Sequence, residues 1–213
     1  WWDYHDNRYL QALDFLSGLK SNGRIANLGL TNFDTKRLRQ ILNHDMPVVS
    51  NQVQYSMVDR RPEHQMVSLC QSNGIHLLAY GSVCGGLLTD RYLGADEPLG
   101  FELQTASLKK YKQIIDAWGG WGLFQELLVV ARGIADKHSV SVANVAVRYI
   151  LEKPAVAGVI IGARLGIVDH IEDNRKITNF HLDCDDLENL ETVLSKSRNL
   201  NQIIGDCGDE YRV

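Results

Sequence analysis

Four short apolar runs, separated by segments of helical periodicity, constrain this chain more than any single residue does: Ile25 to Leu30, Val48 to Val53, Ile75 to Tyr80 and Val156 to Ile161. Strands that alternate with helices belong to parallel sheets, because the helices carry the chain back across the sheet between one strand and the next. Near-continuous apolar strands such as Val156-Ala157-Gly158-Val159-Ile160-Ile161 further imply a sheet covered on both faces. The expected class is therefore α/β.

The helical segments have readable boundaries. Leu10, Leu13, Leu16 and Leu19 recur at three-residue spacing within residues 8–22, which stacks them on one helix face, and Asn22-Gly23 supplies the stop. Thr31-Asn32-Phe33-Asp34 suits a helix N-cap, and Pro62 to Ser72 reads as a helix closed by Asn73-Gly74. Helices are expected near residues 104–117, 123–138 and 141–152, then over 169–177 and over 183–197, where Asp residues in the first turn complement the helix dipole. Residues 198–213 are polar and glycine-containing and read as a tail, so the folded unit is expected to span 1–197. Between Tyr80 and about residue 103 the rhythm breaks into a long polar connection that opens Gly81-Ser82-Val83-Cys84-Gly85-Gly86, and long connections of this kind are often functional.

The opening Trp1-Trp2-Asp3-Tyr4 resembles the end of a further buried strand, and Trp1 in place of Met implies that chain precedes it. Four strands and a fragment of a fifth are too few to close an eight-stranded barrel, which typically takes ~250 residues. An open doubly wound sheet is the rival on pattern alone, but the Gly-rich fingerprint of a dinucleotide-binding unit does not follow the first strand.

Composition excludes several classes. With 213 residues, 45% hydrophobic and 23% charged, the chain suits one globular domain. A net charge of −4 with no run of Lys or Arg argues against nucleic acid or an anionic membrane as partner. No apolar stretch approaches the roughly 20 residues that span a bilayer. Cys70, Cys84, Cys184 and Cys207 are far apart and lack zinc-site spacing, which fits free thiols in a reducing compartment, the cytoplasm. Oligomeric state is not encoded in any of these features.

In parallel α/β folds ligands meet the C-terminal ends of the strands. Those ends carry Thr31 and Asn32, Asn51 and Gln52, Tyr80 with its glycine-rich loop, and Gly162, Ala163 and Arg164. Thr31-Asn32 taken alone reads as a helix cap; the amides of Asn51 and Gln52 need hydrogen-bond partners if buried and are suited to reading another amide. Tyr80 is either a packed aromatic or a platform for a flat heterocycle. Gly81, Gly85 and Gly86 would let backbone amides approach a phosphate, or simply make turns. Asp169, His170, Asp173 and Asn174 lie at a helix start, where anions bind readily, or form a solvated first turn. His44, His64 and His138 and the pair Asp185-Asp186 read as surface and first-turn groups, and Trp118 and Trp121 as packing or substrate-facing aromatics.

Gly29-Leu30-Thr31-Asn32-Phe33, Ser50-Asn51-Gln52-Val53-Gln54-Tyr55-Ser56, Leu78-Ala79-Tyr80-Gly81-Ser82 and Val159-Ile160-Ile161-Gly162-Ala163-Arg164 to Asn174 together resemble the aldo-keto reductase superfamily, in its order and spacing and over essentially the whole chain. Gly205 to Tyr211 resembles the end of one group of that family. The resemblance implies the C-terminal portion of a (β/α)8 TIM barrel, strands five to eight with the end of strand four, binding NADPH rather than NAD across the C-terminal rim. By matching position, Thr31, Asn32 and Gln52 would hold the nicotinamide carboxamide and Tyr80 would stack on the nicotinamide. Gly81, Ser82 and Gly85 would lie in the loop over the pyrophosphate. Arg164 and His170 would fall near the adenosine 2′-phosphate, with His170 standing where Arg or Gln is usual, and Asn174 would read adenine. The implied activity is reduction of a small carbonyl substrate, an aldehyde or ketone, to an alcohol. The family's catalytic Asp, Tyr, Lys and His all lie upstream of the matched region, so none is assigned here, and neither Tyr4 nor His5 replaces them. The alternative is a non-catalytic half-barrel that binds cofactor or a partner.

Overall fold

The computed structural model describes residues 1–163 and 170–212. In chain order α1 (Tyr9–Ser21) leads to β1 (Leu28–Thr31), α2 (Thr35–Asn43), β2 (Val48–Gln54), α3 (Met66–Asn73) and β3 (His76–Tyr80). A long connection with short 3-10 turns then reaches α4 (Ala106–Trp118), α5 (Gly120–His138) and α6 (Val142–Leu151). The chain continues through β4 (Val156–Ile160), α7 (Ile171–Arg175), α8 (Cys184–Leu194) and α9 (Leu200–Ile203). The strands form one parallel sheet in the order β1-β2-β3-β4, and each apolar run of the sequence supplies one of them.

Local chemistry fixes the helix starts. Asp34, not Thr31 or Asn32, caps α2: its carboxylate accepts from Arg37 N at 2.6 Å, and Leu38 and Ile41 then fall on the fully buried face. Ser141 caps α6, and Asp183 and Asp186 close a reciprocal capping box at the start of α8. Only part of the leucine stripe of α1 is buried: Leu13 is covered, whereas Phe15 and Leu16 remain exposed.

The two faces of the sheet are unequal, contrary to the expectation of cover on both. Paired residues in a parallel sheet share a face, so the register puts Leu30, Asn51 and Leu77 on one side, together with Val53, Ala79 and Val159. Most of that side is buried, with α1, α2 and α3 contributing Leu13, Leu38, Ile41, Met66 and Leu69. The other side carries Thr31, Ser50, Gln52, Leu78, Tyr80 and Gly158, mostly half-exposed, and ends in Ile160 at 46% exposure. A second core gathers α4, α5, α6 and α8 around Ile115, Phe124, Leu128, Val145 and Leu190. Trp118 and Trp121 pack there, 1% and 9% exposed, so both serve packing.

Two expectations about the ends differ from what forms. Residues 1–8 make turns rather than the end of a strand, and among the described residues no strand pairs with the outer edge of β1. The indole N–H of Trp1 donates to the Asp3 and Asp6 carbonyls, which closes the segment on itself, and Trp2 stays 67% exposed. Residues 198–212 are no loose tail. Cys207 is buried, the Asp206 carboxylate accepts from Thr35 N at 2.8 Å, and Glu210 pairs with buried Arg61 at 3.0 Å. The segment looks like a tail in sequence because its contacts are polar, and hydropathy does not register them. Among the described residues no single helix is long and apolar enough to cross a membrane.

Candidate functional site

The half-exposed face and the strand ends converge on a rim. Thr31 ends β1 on this face, paired in register with Gln52, and Tyr80 ends β3, paired with Gln54 on one side and Ile160 on the other. The Thr31 hydroxyl and Gln52 amide make no side-chain hydrogen bond among the described residues. Asn51, its side chain on the opposite face, is fully buried and satisfied by the Phe33 backbone, donating to its carbonyl at 2.8 Å and accepting from its N–H at 3.4 Å. The two neighbouring amides thus divide, one structural and one available.

Asn32 turns the chain away from β1 in a left-handed conformation, φ 57°, that few non-glycine residues adopt. Its N–H donates to the Gln52 carbonyl at 2.8 Å, and its own carbonyl accepts from Arg212 Nη2 at 2.6 Å. Its side-chain Oδ1 accepts from the Tyr80 hydroxyl at 2.8 Å, and that hydroxyl lies 3.1 Å from the Tyr211 hydroxyl. Burial first, and then the hydrogen bond with Tyr211, push the Tyr80 phenol far above its ordinary range, so it stays protonated and serves as a donor.

The loop after β3 is packed by one residue. A side chain at Gly81 or Gly85 would run into the Tyr111 ring of α4, and both glycines have positive φ, 73° and 65°. Their first use is therefore to admit Tyr111. Over Gly86, φ 101°, the space is open. Ser82 is 1% exposed, and its hydroxyl has no hydrogen-bond partner among the described residues. Cys84 is buried in the same loop, and burial pushes its thiol up to about 12.

Beyond the fourth strand, Arg164 lies outside the described residues. His170 is exposed and precedes α7 without capping it, and Asn174 is half-buried with its N–H on the His170 carbonyl at 2.8 Å. Beside it, Asp173 accepts from Ser141 Oγ and Asn144 Nδ2, both at 2.8 Å, tying α7 to the start of α6.

Several rim residues were not singled out from sequence. Arg61 grips Asp59 with two bonds, 2.8 and 2.7 Å, reaches the Asp206 carbonyl at 2.9 Å, and pairs with Glu210. Gln54 donates to the same Asp59 carboxylate at 2.5 Å. Lys110 and Tyr211 hydrogen-bond to each other beside Tyr80. Asp59-Arg60-Arg61, shortly after β2 and next to apolar Met57-Val58, was the available sign of a buried pair; for Lys110 and Tyr211, 101 residues apart, no sequence signal existed.

A dinucleotide needs an amide reader, a ring platform and room for phosphate against backbone. Among the described residues the Gln52 amide and Thr31 hydroxyl make no side-chain hydrogen bond, the Tyr80 ring is partly exposed and the space over Gly86 is open, which fits such a group, while the Ser82 hydroxyl is buried. Tyr111 takes the space over Gly81 and Gly85.

This parallel α/β arrangement, with its polar groups at the strand ends, has a known family. The aldo/keto reductase family model matches residues 1–195, and the chain belongs to that family. It is 34% identical over 128 residues to flagellar radial spoke protein 5 of Chlamydomonas reinhardtii, covering 59% of this chain and 24% of that protein. It is 27% identical over 189 residues to Protein tas of Escherichia coli strain K12, covering 86% of this chain and 52% of that one. The aldo/keto reductase from Klebsiella pneumoniae solved in complex with NADP and acetate superimposes with a TM-score of 0.62 at 16% identity, over 89% of this chain and 55% of that chain. The chain thus spans about half the length, or less, of these relatives.

Proposed function

We infer that this chain carries the nicotinamide-binding part of an NADPH-dependent oxidoreductase that reduces aldehydes or ketones to alcohols. The observation that carries the reading is the strand-end set on the half-exposed face: Thr31, Gln52 and Tyr80 lie on neighbouring strands, Asn32 just beyond β1 accepts from the Tyr80 hydroxyl, and the Gln52 amide makes no side-chain hydrogen bond among the described residues. When bound, the dinucleotide supplies the hydride. Gln52 and Thr31 would hold the carboxamide, and the Asn32 to Tyr80 hydrogen bond would keep the phenol ring in orientation for stacking. Gly86 would offer the phosphates an open backbone approach, whereas Tyr111 occupies the space over Gly81 and Gly85 and Ser82 is buried. His170 and Asn174 would face the adenosine end.

A reductase also needs a proton donor within ~2.6–3.2 Å of the carbonyl oxygen. In this family that role and its partners lie upstream of the matched motifs, so the 213-residue chain is expected to bind NADPH without turning over carbonyls. Fluorescence titration of the purified chain with NADPH, followed by an aldehyde-dependent NADPH oxidation assay, tests both halves. Saturable binding without turnover is expected. Absence of binding would overturn the reading, and turnover above a no-protein control would overturn the assignment of the chemistry to residues elsewhere. The relation to proteins about twice as long also supports a second reading, a half-barrel that binds cofactor or a partner subunit without catalysis.

A further inference from the structure

Lys110 is unusual among the covered cations. Two residues further along α4, Lys112 spends its ammonium on Glu97 and Asp116, each at 2.6 Å, and Lys153 pairs with Glu63 at 3.2 Å. Lys110 is half-buried, yet it has no carboxylate partner among the described residues. Its ammonium lies over three phenol rings, 5.4 Å from the centroid of Tyr80, 4.9 Å from Tyr111 and 4.5 Å from Tyr211, and donates to the Tyr211 hydroxyl. Ring faces attract a cation but accept few hydrogen bonds, so two of the three ammonium protons remain to be satisfied.

The position of this cage matters. Tyr80 leads directly into the loop at Gly81, and Tyr111 rests on Gly81 and Gly85. The ammonium therefore stands at the mouth of a loop that also holds an orphan buried hydroxyl, Ser82, and an open backbone approach at Gly86. A half-buried cation with spare donors beside a glycine-lined backbone matches an anion with several acceptor oxygens. The Tyr211 end of the cage is held fast, because Glu210 beside it is bound to Arg61 and Gly208 sits against the Asn32 carbonyl.

We propose that Lys110 is the anion-receiving group of this rim, that it takes the pyrophosphate of a dinucleotide, and that Tyr211 is the residue that positions it. The pyrophosphate assignment deepens the nicotinamide reading above and rests on it for the identity of the remaining ligand. Tyr80 then has two tasks: its ring supports the ammonium, and its hydroxyl locks Asn32.

The test uses two probes on the whole chain, inorganic pyrophosphate by calorimetry and NADPH by fluorescence. K110M keeps the aliphatic stem and should weaken both by about tenfold or more, since a hydrogen bond to a charged group is lost. K110R should stay within about threefold of the parent, and Y211F should fall between, because the rings remain and only the positioning bond is removed. Raising NaCl should weaken pyrophosphate binding in the parent and much less in K110M. Equal affinity of parent and K110M for both probes, or no pyrophosphate binding by the parent, overturns the proposal. The two readings fail separately. NADPH binding unaffected by K110M leaves the nicotinamide site standing and removes Lys110 from it. Pyrophosphate binding that depends on Lys110, without NADPH binding to any variant, upholds the anion site and sinks the nicotinamide reading.

Discussion

On one face of the sheet Leu30, Val53, Leu77 and Ala79 are buried beneath helices, while the alternate positions of the same strands carry Thr31, Gln52 and Tyr80 at the surface of the other. The contrast follows from the two-residue repeat of a strand, which lets adjacent residues serve different ends. The covered side gains stability, ~1.5–3 kcal/mol for each fully buried large apolar side chain. The half-open side gives up that gain and keeps polar groups, of which Thr31 and Gln52 make no side-chain hydrogen bond among the described residues. Asn51 and Gln52 display the division within one dipeptide, the first satisfied by the Phe33 backbone and the second without a side-chain hydrogen bond among the described residues.

Substitutions that respect or violate this division should separate in size. The largest loss is expected where the closing segment is fastened to the rim: Arg61→Met leaves the Asp59 and Glu210 carboxylates without their cation and should cost about 3–5 kcal/mol in denaturant unfolding. Next, Leu77→Ala on the covered face should cost about 2–5 kcal/mol. Its neighbour Leu78→Ala on the half-open face should cost less than about 1 kcal/mol. Equal losses at Leu77 and Leu78 would erase the distinction between the faces. Tyr80→Ala is expected to weaken NADPH by about two- to tenfold by removing a stacking platform worth about 0.5–1.5 kcal/mol. Its effect on cofactor should exceed that of a half-open-face control such as Leu78→Ala.

Smaller effects concern titration. Burial opposes ionisation of Asp186, but the bonds from Lys137 and His138 outweigh it and hold the carboxyl below the ordinary range. A carboxyl lowered in the folded state stabilises above its unfolded value, about 3.9, and loses that contribution as pH falls through the lower folded value. The acid limb of a stability-against-pH curve should therefore be shallower in Asp186→Asn than in the parent. The smallest effect is chemical: burial pushes the Cys70 and Cys84 thiols up to about 12, so a thiol reagent at pH 8 should label exposed Cys184 and spare both of them in the folded chain.

The strands were legible because four apolar runs sat between helical periodicities, and each run formed one. The half-open face was not, because Val156 to Ile161 reads as uniformly apolar whether or not its second side is covered. Cap chemistry was readable in kind but not always in place, since Asp34 outcompetes Thr31 and Asn32 once β1 runs through Thr31. The strand-end candidates Asn32, Gln52 and Tyr80 could be named from sequence, yet their hydrogen bonds could not, for Tyr80 joins Asn32 and Tyr211 across 48 and 131 residues. The closing segment was the largest misreading. Its Asp206, Glu210 and Arg212 look solvent-directed until Thr35, Arg61 and Asn32 are brought beside them.

The central claim is that the half-open face and its rim bind a nicotinamide dinucleotide while the covered face only supports them. Backbone amide shifts recorded during NADPH addition test it directly. Saturable changes are expected at Thr31, Asn32, Gln52, Tyr80 and Gly86, with Leu38, Ile41 and Leu69 on the covered side unmoved. Changes confined to the helical side, or none at any NADPH concentration, would contradict it.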